Sequence, residues 1–249
     1  MAIDLTGKTA LVTGSTSGIG RATALKLAQG GTHVIVSGRD AERGQATVDA
    51  IRTAGGRADF VAANLSDAES VRELARRALE ISGGRVDILV NNAGVFPFGP
   101  TVDVTDGEFE SVSAVNVRAP FILVAALAPA MVAAGAGAII NVTTMVANFG
   151  MAGMALYGSS KAALQLLTKA WAAEFGPSGV RVNAVSPGPT RTEGTVGMGE
   201  GLDQLASATP AGRPGNAEDV ADAIVFLASG DARHVHGAVL PVDGGRIAV

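Results

Sequence analysis

The chain has 249 residues, a net charge of −4 at pH 7, no cysteine and few aromatics. Without cysteine it has no disulfide and no thiolate metal site, and an acidic balance with no basic run argues against a nucleic-acid partner. A chain of this length buries most of the surface its unfolded form exposes and needs no staples.

The N-terminal stretch MAIDLTGKTALVTG lacks a basic segment followed by a long apolar run, so no signal peptide is expected. The stretch FILVAALAPAMVAAGAGAII is interrupted by Pro129 and by glycines. It falls short of the roughly 18 uninterrupted apolar residues of a membrane span. A soluble, cytoplasmic protein without a membrane partner is expected. His33, His234 and His236 show no helical ligand pairing, and no metal site is expected.

In chain order, short apolar runs lie at 9–14, 33–38, 58–63, 86–94, 138–144, 180–188 and 238–245. They are continuous rather than alternating, as in strands of a parallel sheet covered on both faces. Helical patterns lie between them at about 19–30, 41–54, 67–81, 106–134, 157–175 and 217–229. Gly176-Pro177 stops the fifth of these. The alternation predicts one doubly wound α/β domain over residues 1–249, with no linker. Residues 190–215, rich in Gly, Thr and Pro, fit least well. A short helix near 200–208 and a substrate-covering role are expected there.

Gly14, Gly18 and Gly20 fall between the first strand and the first helix. Glycine lets backbone approach a pyrophosphate, and a helix start offers free N–H groups and a favourable dipole. The whole turn, with Ser15, Thr16, Ser17 and Ile19, is therefore a candidate dinucleotide site. The second strand ends in Gly38, followed by Arg39 and Asp40. A guanidinium pairs bidentately with a phosphate, whereas Asp40 is placed to cap the next helix. NADP(H) is expected to be preferred over NAD(H).

The ordered set Gly14-x-x-x-Gly18-Ile19-Gly20, Asn91-Asn92-Ala93-Gly94, Asn116 in AVNVRAP, Tyr157-x-x-x-Lys161, Pro187-Gly188 and the ending GAVLPVDGG resembles the classical short-chain dehydrogenase/reductases. The resemblance covers nearly the whole chain. It implies a Rossmann-type, seven-stranded sheet of order 3-2-1-4-5-6-7 and a homotetramer or homodimer. It also implies hydride transfer between a nicotinamide and a carbonyl or alcohol carbon. It places Asn92, Ala93, Gly94, Pro187, Gly188 and Thr190 at the cofactor, Thr190 beside the nicotinamide amide. Asn64, with Leu65, stands where the family often has an adenine-contacting Asp.

Tyr157 is the candidate general acid. A free tyrosine titrates near pH ~10, and Lys161, one helical turn on, is expected to lower that value by its charge. The resemblance adds a hydrogen bond from Lys161 to the nicotinamide ribose, and a water anchored by Asn116 that relays protons to it. The family's serine, 13 residues before the tyrosine, is here Thr144, which keeps the hydroxyl and adds a methyl. Thr143 is expected to face away.

The resemblance puts the substrate pocket along the loop after 94, residues 145–156 and the cover. Its candidate lining is Phe96, Phe98, Met145, Met151 and Met154, with Met198, Leu202 and Leu205 joining from the cover. Such an apolar list suits a small lipophilic ketone. Two other readings stand beside it, a 3-oxoacyl-(carrier-protein or CoA) reductase and a non-catalytic nucleotide-binding protein. The loops VAAGAGA and FGPSG carry no Lys or Arg to attract an acidic carrier.

Overall fold

In the computed structural model, residues 4–249 are described; the first three, which begin the stretch read for a leader, lie outside them. The apolar runs become β1 (Thr9–Thr13), β2 (His33–Gly38), β3 (Arg57–Ala62), β4 (Ile88–Asn91), β5 (Gly137–Val142), β6 (Val180–Pro187) and, after two short strands, β9 (Val239–Val242). They pair in parallel in the order β3-β2-β1-β4-β5-β6-β9, the order the resemblance implied. The short strands β7 (Thr190–Arg191) and β8 (Gly215–Asn216) pair only with each other.

Each central strand is buried on both faces, so its residues divide between two cores. Val12, Val34 and Ile140 meet Leu27 of α1 (Gly18–Gln29), Val48 of α2 (Ala41–Thr53) and Ile224 of α8 (Ala217–Ala228). Leu11, Ile35 and Leu89 meet Leu74 of α3 (Ala68–Ile81), Leu127 of α5 (Ala119–Ala133) and Trp171 of α6 (Ala155–Phe175). Side-chain caps fix the starts of α2 and α3: the Asp40 carboxylate accepts from Arg43 N, and Asp67 caps α3.

One expected element is divided. The pattern over 106–134 becomes α4 (Asp106–Ser113), a π turn over Ala114–Arg118, and α5. Proline supplies the reason: Pro120 has no N–H with which to satisfy the Asn116 carbonyl one turn back. Such π turns gather at functional sites. By length and composition residues 106–133 pass as a membrane span. Within the fold, however, Leu123, Leu127 and Met131 are fully buried in the second core.

At the carboxyl ends of β1, β2, β4, β5 and β6 the loops part and leave a crevice, where open α/β sheets bind ligands. A short helix, α7 (Glu200–Ser207), lies in the segment above it.

Candidate active site

The glycine turn after β1 owes its shape to close packing. Gly14 adopts φ +64° and Gly18 φ +50°, conformations that favour glycine. A Cβ on Gly20 would stand 2.2 Å from the Gly14 carbonyl oxygen. The Asn92 side chain donates to the carbonyls of Thr13 (2.9 Å) and Gly14 (3.2 Å), joining this turn to the loop after β4. Thr13 Oγ1 in turn accepts from the N–H groups of Asn92 and Ala93. Thr16, Ser17, Gly18, Ile19 and Gly20 all line the crevice.

Ser15 does not. It is fully buried, its hydroxyl donating to Val12 O at 2.7 Å and accepting from Ser37 N at 3.0 Å. The buried Ser37 N–H needs an acceptor, and Ser15 supplies it. Ser15 therefore braces β1 against β2 instead of facing a ligand.

At the adenosine end Arg39, Asn64 and Leu65 line the crevice together. Both Asp40 carboxylate oxygens are engaged by Arg43, one by its backbone N–H and one by Nε, which holds the acid below its ordinary range. The Arg39 side chain has no ion pair or hydrogen bond among the described residues. The Asn64 carbonyl oxygen accepts from Ser66, which leaves its amide N–H groups as donors.

Tyr157 and Lys161 lie in the first turns of α6, Thr144 just beyond β5. Thr144 and Tyr157 both line the crevice, with the Thr144 hydroxyl near the phenol. Burial pushes the phenol up to about 12, and the nearby Thr144 hydroxyl works against that rise. This differs from the expected lowering by Lys161. The lysine does share the face, but it is 3% exposed and donates from Nζ to Val142 O at 2.8 Å. Burial brings its own value down to about 8. Desolvation thus governs both groups in the protein alone. Thr143 turns away, its hydroxyl donating to Val185 O.

The Asn116 side chain is fully occupied by the protein. It accepts from Val95 N and donates to Val95 O and to Ser160 Oγ, all within 3.0 Å. It thereby fixes the loop after β4 against α6. A Cβ on Gly94 would lie 3.2 Å from Lys161 Nζ and 3.4 Å from Asn116 Oδ1. Glycine there keeps the floor open above both, so the donors and the open backbone fit an extended dinucleotide.

The crevice measures about 600 Å³. Phe96, Met145, Met151 and Met154 line its substrate half, with Met198, Leu202 and Leu205 from above. The Phe96 ring stands edge-on to Tyr157, centroids 6.1 Å apart. Phe98 lies outside. It is 71% exposed, and its ring rests on Gly153, where a Cβ would clash at 2.8 Å. Pro187, Gly188 and Thr190 line the crevice, but the Thr190 hydroxyl donates to Gly188 O. Thr192 and Ser37 also line it and escaped the sequence reading. Thr192 could have been suspected as a second hydroxyl two residues past Thr190. Among the described residues no group of His, Asp or Glu is placed to hold a metal.

Comparison with known proteins accords with this geometry. The family model described as enoyl-(acyl carrier protein) reductase matches residues 14–246. A solved short-chain dehydrogenase/reductase family protein is 47% identical, with all of both chains covered and a TM-score of 0.91. The 3-oxoacyl-(acyl-carrier-protein) reductase FabG of Thermotoga maritima is 36% identical over 98% of this chain and 99% of its own. A crystal structure from Beutenbergia cavernae, described as a candidate NAD(P)-dependent gluconate 5-dehydrogenase with NADP bound at low occupancy, is 39% identical over all of both chains, with a TM-score of 0.94. The chain belongs to the short-chain dehydrogenase/reductase family, oxidoreductases that act on CH–OH groups with a nicotinamide cofactor.

Proposed function

We propose that this enzyme interconverts a small lipophilic ketone and its secondary alcohol, with NADP(H) preferred over NAD(H). The observation that carries the reading is the pairing of the Thr144 hydroxyl and the Tyr157 phenol in one crevice with an apolar lining and the glycine turn. A bound nicotinamide supplies or accepts the hydride. Tyr157 gives its proton to the carbonyl oxygen, and Thr144 holds that oxygen in line. Burial keeps the phenol protonated and ready to donate. Lys161 reaches the floor beside Gly94, where a ribose would lie, and its value of about 8 lets it pass a proton near neutrality. With its side chain held by Val95 and Ser160, Asn116 anchors the relaying water through its backbone carbonyl, to which Pro120 has no N–H to donate.

NADP(H) preference rests on Arg39, unpaired at the ribose end, and on Asp40, whose charge Arg43 already answers. Thr190, Pro187 and Gly188 border the nicotinamide, and Asn64 offers donors to the adenine. The FabG relative favours a second reading, a 3-oxoacyl thioester as substrate. The loops at 132–138 and 175–179 offer no cation to an acidic carrier. The exposed Phe109, Phe121 and Leu166 on α4–α6 would be covered by a second copy in a homodimer or homotetramer. A cytoplasmic location goes with this reading.

The test follows NADPH and NADH oxidation across ketones, quinones, keto-acyl thioesters and keto sugars, with Tyr157→Phe and Thr144→Ala run beside the wild type. Loss of about 10²–10⁴-fold is expected in Tyr157→Phe, the scale of general acid catalysis. A smaller loss is expected in Thr144→Ala, and retained turnover in Thr144→Ser. Full activity of Tyr157→Phe would overturn the mechanism, and a best substrate among the keto sugars would overturn the lipophilic class.

A further inference from the structure

The start of α1 lacks the partners a helix start usually has. Ser17 makes no side-chain cap, and no acidic residue lies in the first turn. The Gly18 N–H is nevertheless satisfied, donating to Glu193 Oε2 at 2.8 Å, with Glu193 lining a small cavity beside the crevice that Gly18 also borders. Glu193 belongs to the cover. Its neighbour Thr192 packs on the same glycine, where a Cβ would meet Thr192 Cβ at 3.2 Å. Between β7 and β8, this is the one side-chain hydrogen bond from the cover to the glycine turn among the described residues.

We propose that Glu193 is a positioning residue whose carboxylate competes with the dinucleotide pyrophosphate for the N-terminus of α1, so that dinucleotide binding releases the cover. The proposal rests on the glycine turn's being the dinucleotide site. A single N–H serves one acceptor in good geometry. A helix start favours an anion, and two anions brought to the same start repel each other. With Glu193 in place, the cover is drawn onto the cofactor floor. With the pyrophosphate in place, Glu193 leaves Gly18 and the stretch from Gly194 to Met198 is free to re-seat above the substrate pocket. The exposure of Val196 (76%) and Met198 (41%) shows that little apolar packing opposes that movement.

The test titrates NADH and NADPH into the wild type, Glu193→Gln and Glu193→Ala, following nicotinamide fluorescence at low and high salt. Hydrogen exchange over 193–207 is measured with and without dinucleotide. Glu193→Gln keeps the size and an acceptor but removes the charge. It is expected to tighten both dinucleotides by the same factor, about two- to fivefold, the size of a charge–dipole contact. High salt should shrink the gain. In Glu193→Ala the cover should exchange, without dinucleotide, as fast as in the liganded wild type. Unchanged or weaker binding in Glu193→Gln would overturn the proposal, as would cover exchange in Glu193→Ala that still responds fully to dinucleotide. A wild type that binds neither dinucleotide would instead overturn the reading of the glycine turn, and the competition with it.

Discussion

Gly20, in the floor of the crevice, and Gly197, in its cover, place the same residue type in opposite surroundings. A methyl on Gly20 would enter the Gly14 carbonyl at 2.2 Å and the Asn92 amide at 2.4 Å, whereas one on Gly197 would meet nothing within 4 Å. The floor is held by backbone contacts and by side-chain amides such as Asn92 that leave no slack. The cover is rooted by two strands of two residues each and by the buried Leu202, Ala206 and Thr209, while its stretch from Gly194 to Gly201 is largely exposed. Rigidity is thus spent where the cofactor must be oriented, and freedom is left where substrates must enter.

Gly20→Ala should break the floor outright. Overpacking against backbone costs about 3 kcal/mol, which for a chain of this size lowers Tm by about 6–12 °C. Dinucleotide affinity should fall with it, because the glycine turn cannot keep its shape. Gly197→Ala should leave stability within about 0.5 kcal/mol of the wild type. Melting curves and dinucleotide titrations on the two variants check the comparison; equal shifts would erase the distinction between floor and cover.

The same division decides what could be read from sequence. The floor was legible because its chemistry is tied to backbone geometry at short range. Gly14, Gly18 and Gly20 mark a turn, and Tyr157 and Lys161 share a face at one helical turn. The sheet order itself entered by resemblance, which pairing then bore out. Spacing could not tell how deep a side chain lies, so the lysine's effect on the tyrosine was overrated and burial underrated. Ser15 was misread because its partner, Ser37, sits on another strand. Glu193 meets Gly18 across 175 residues, and no local pattern announces such a contact. Phe98 was misplaced because in an irregular loop the side chains follow no period.

A subtler break concerns charge in the floor. Lys161 is an ammonium buried to 3% exposure whose one hydrogen-bond partner is a carbonyl, an arrangement that costs stability. Lys161→Met should abolish turnover and yet raise Tm at pH 7. The sign follows from linkage. The folded protein releases the lysine proton near about 8, the unfolded chain only near ~10.4. Between these values the unfolded state binds more protons, so wild-type stability rises with pH. The variant lacks that rise, and its advantage should shrink from pH 8 to pH 10. Tyr157, held up at about 12, pulls the other way only above ~10. Urea melts at pH 7, 8, 9 and 10 measure the gap, and a gap that widens with pH would contradict the burial argument.

The smallest effect is expected in the cover. Met198 lines the crevice but is 41% exposed, so its truncation removes little buried surface. Met198→Ala should leave stability within about 0.5 kcal/mol of the wild type. Its loss should be felt only when substrate is bound, because the side chain closes the apolar pocket from above. An apolar contact of this size is worth about 1 kcal/mol, a fewfold change in KM with kcat nearly unchanged. A fall in kcat with KM preserved would mean that the cover orients the reacting carbonyl. The division between a floor that does chemistry and a cover that only admits substrate would then have to be redrawn.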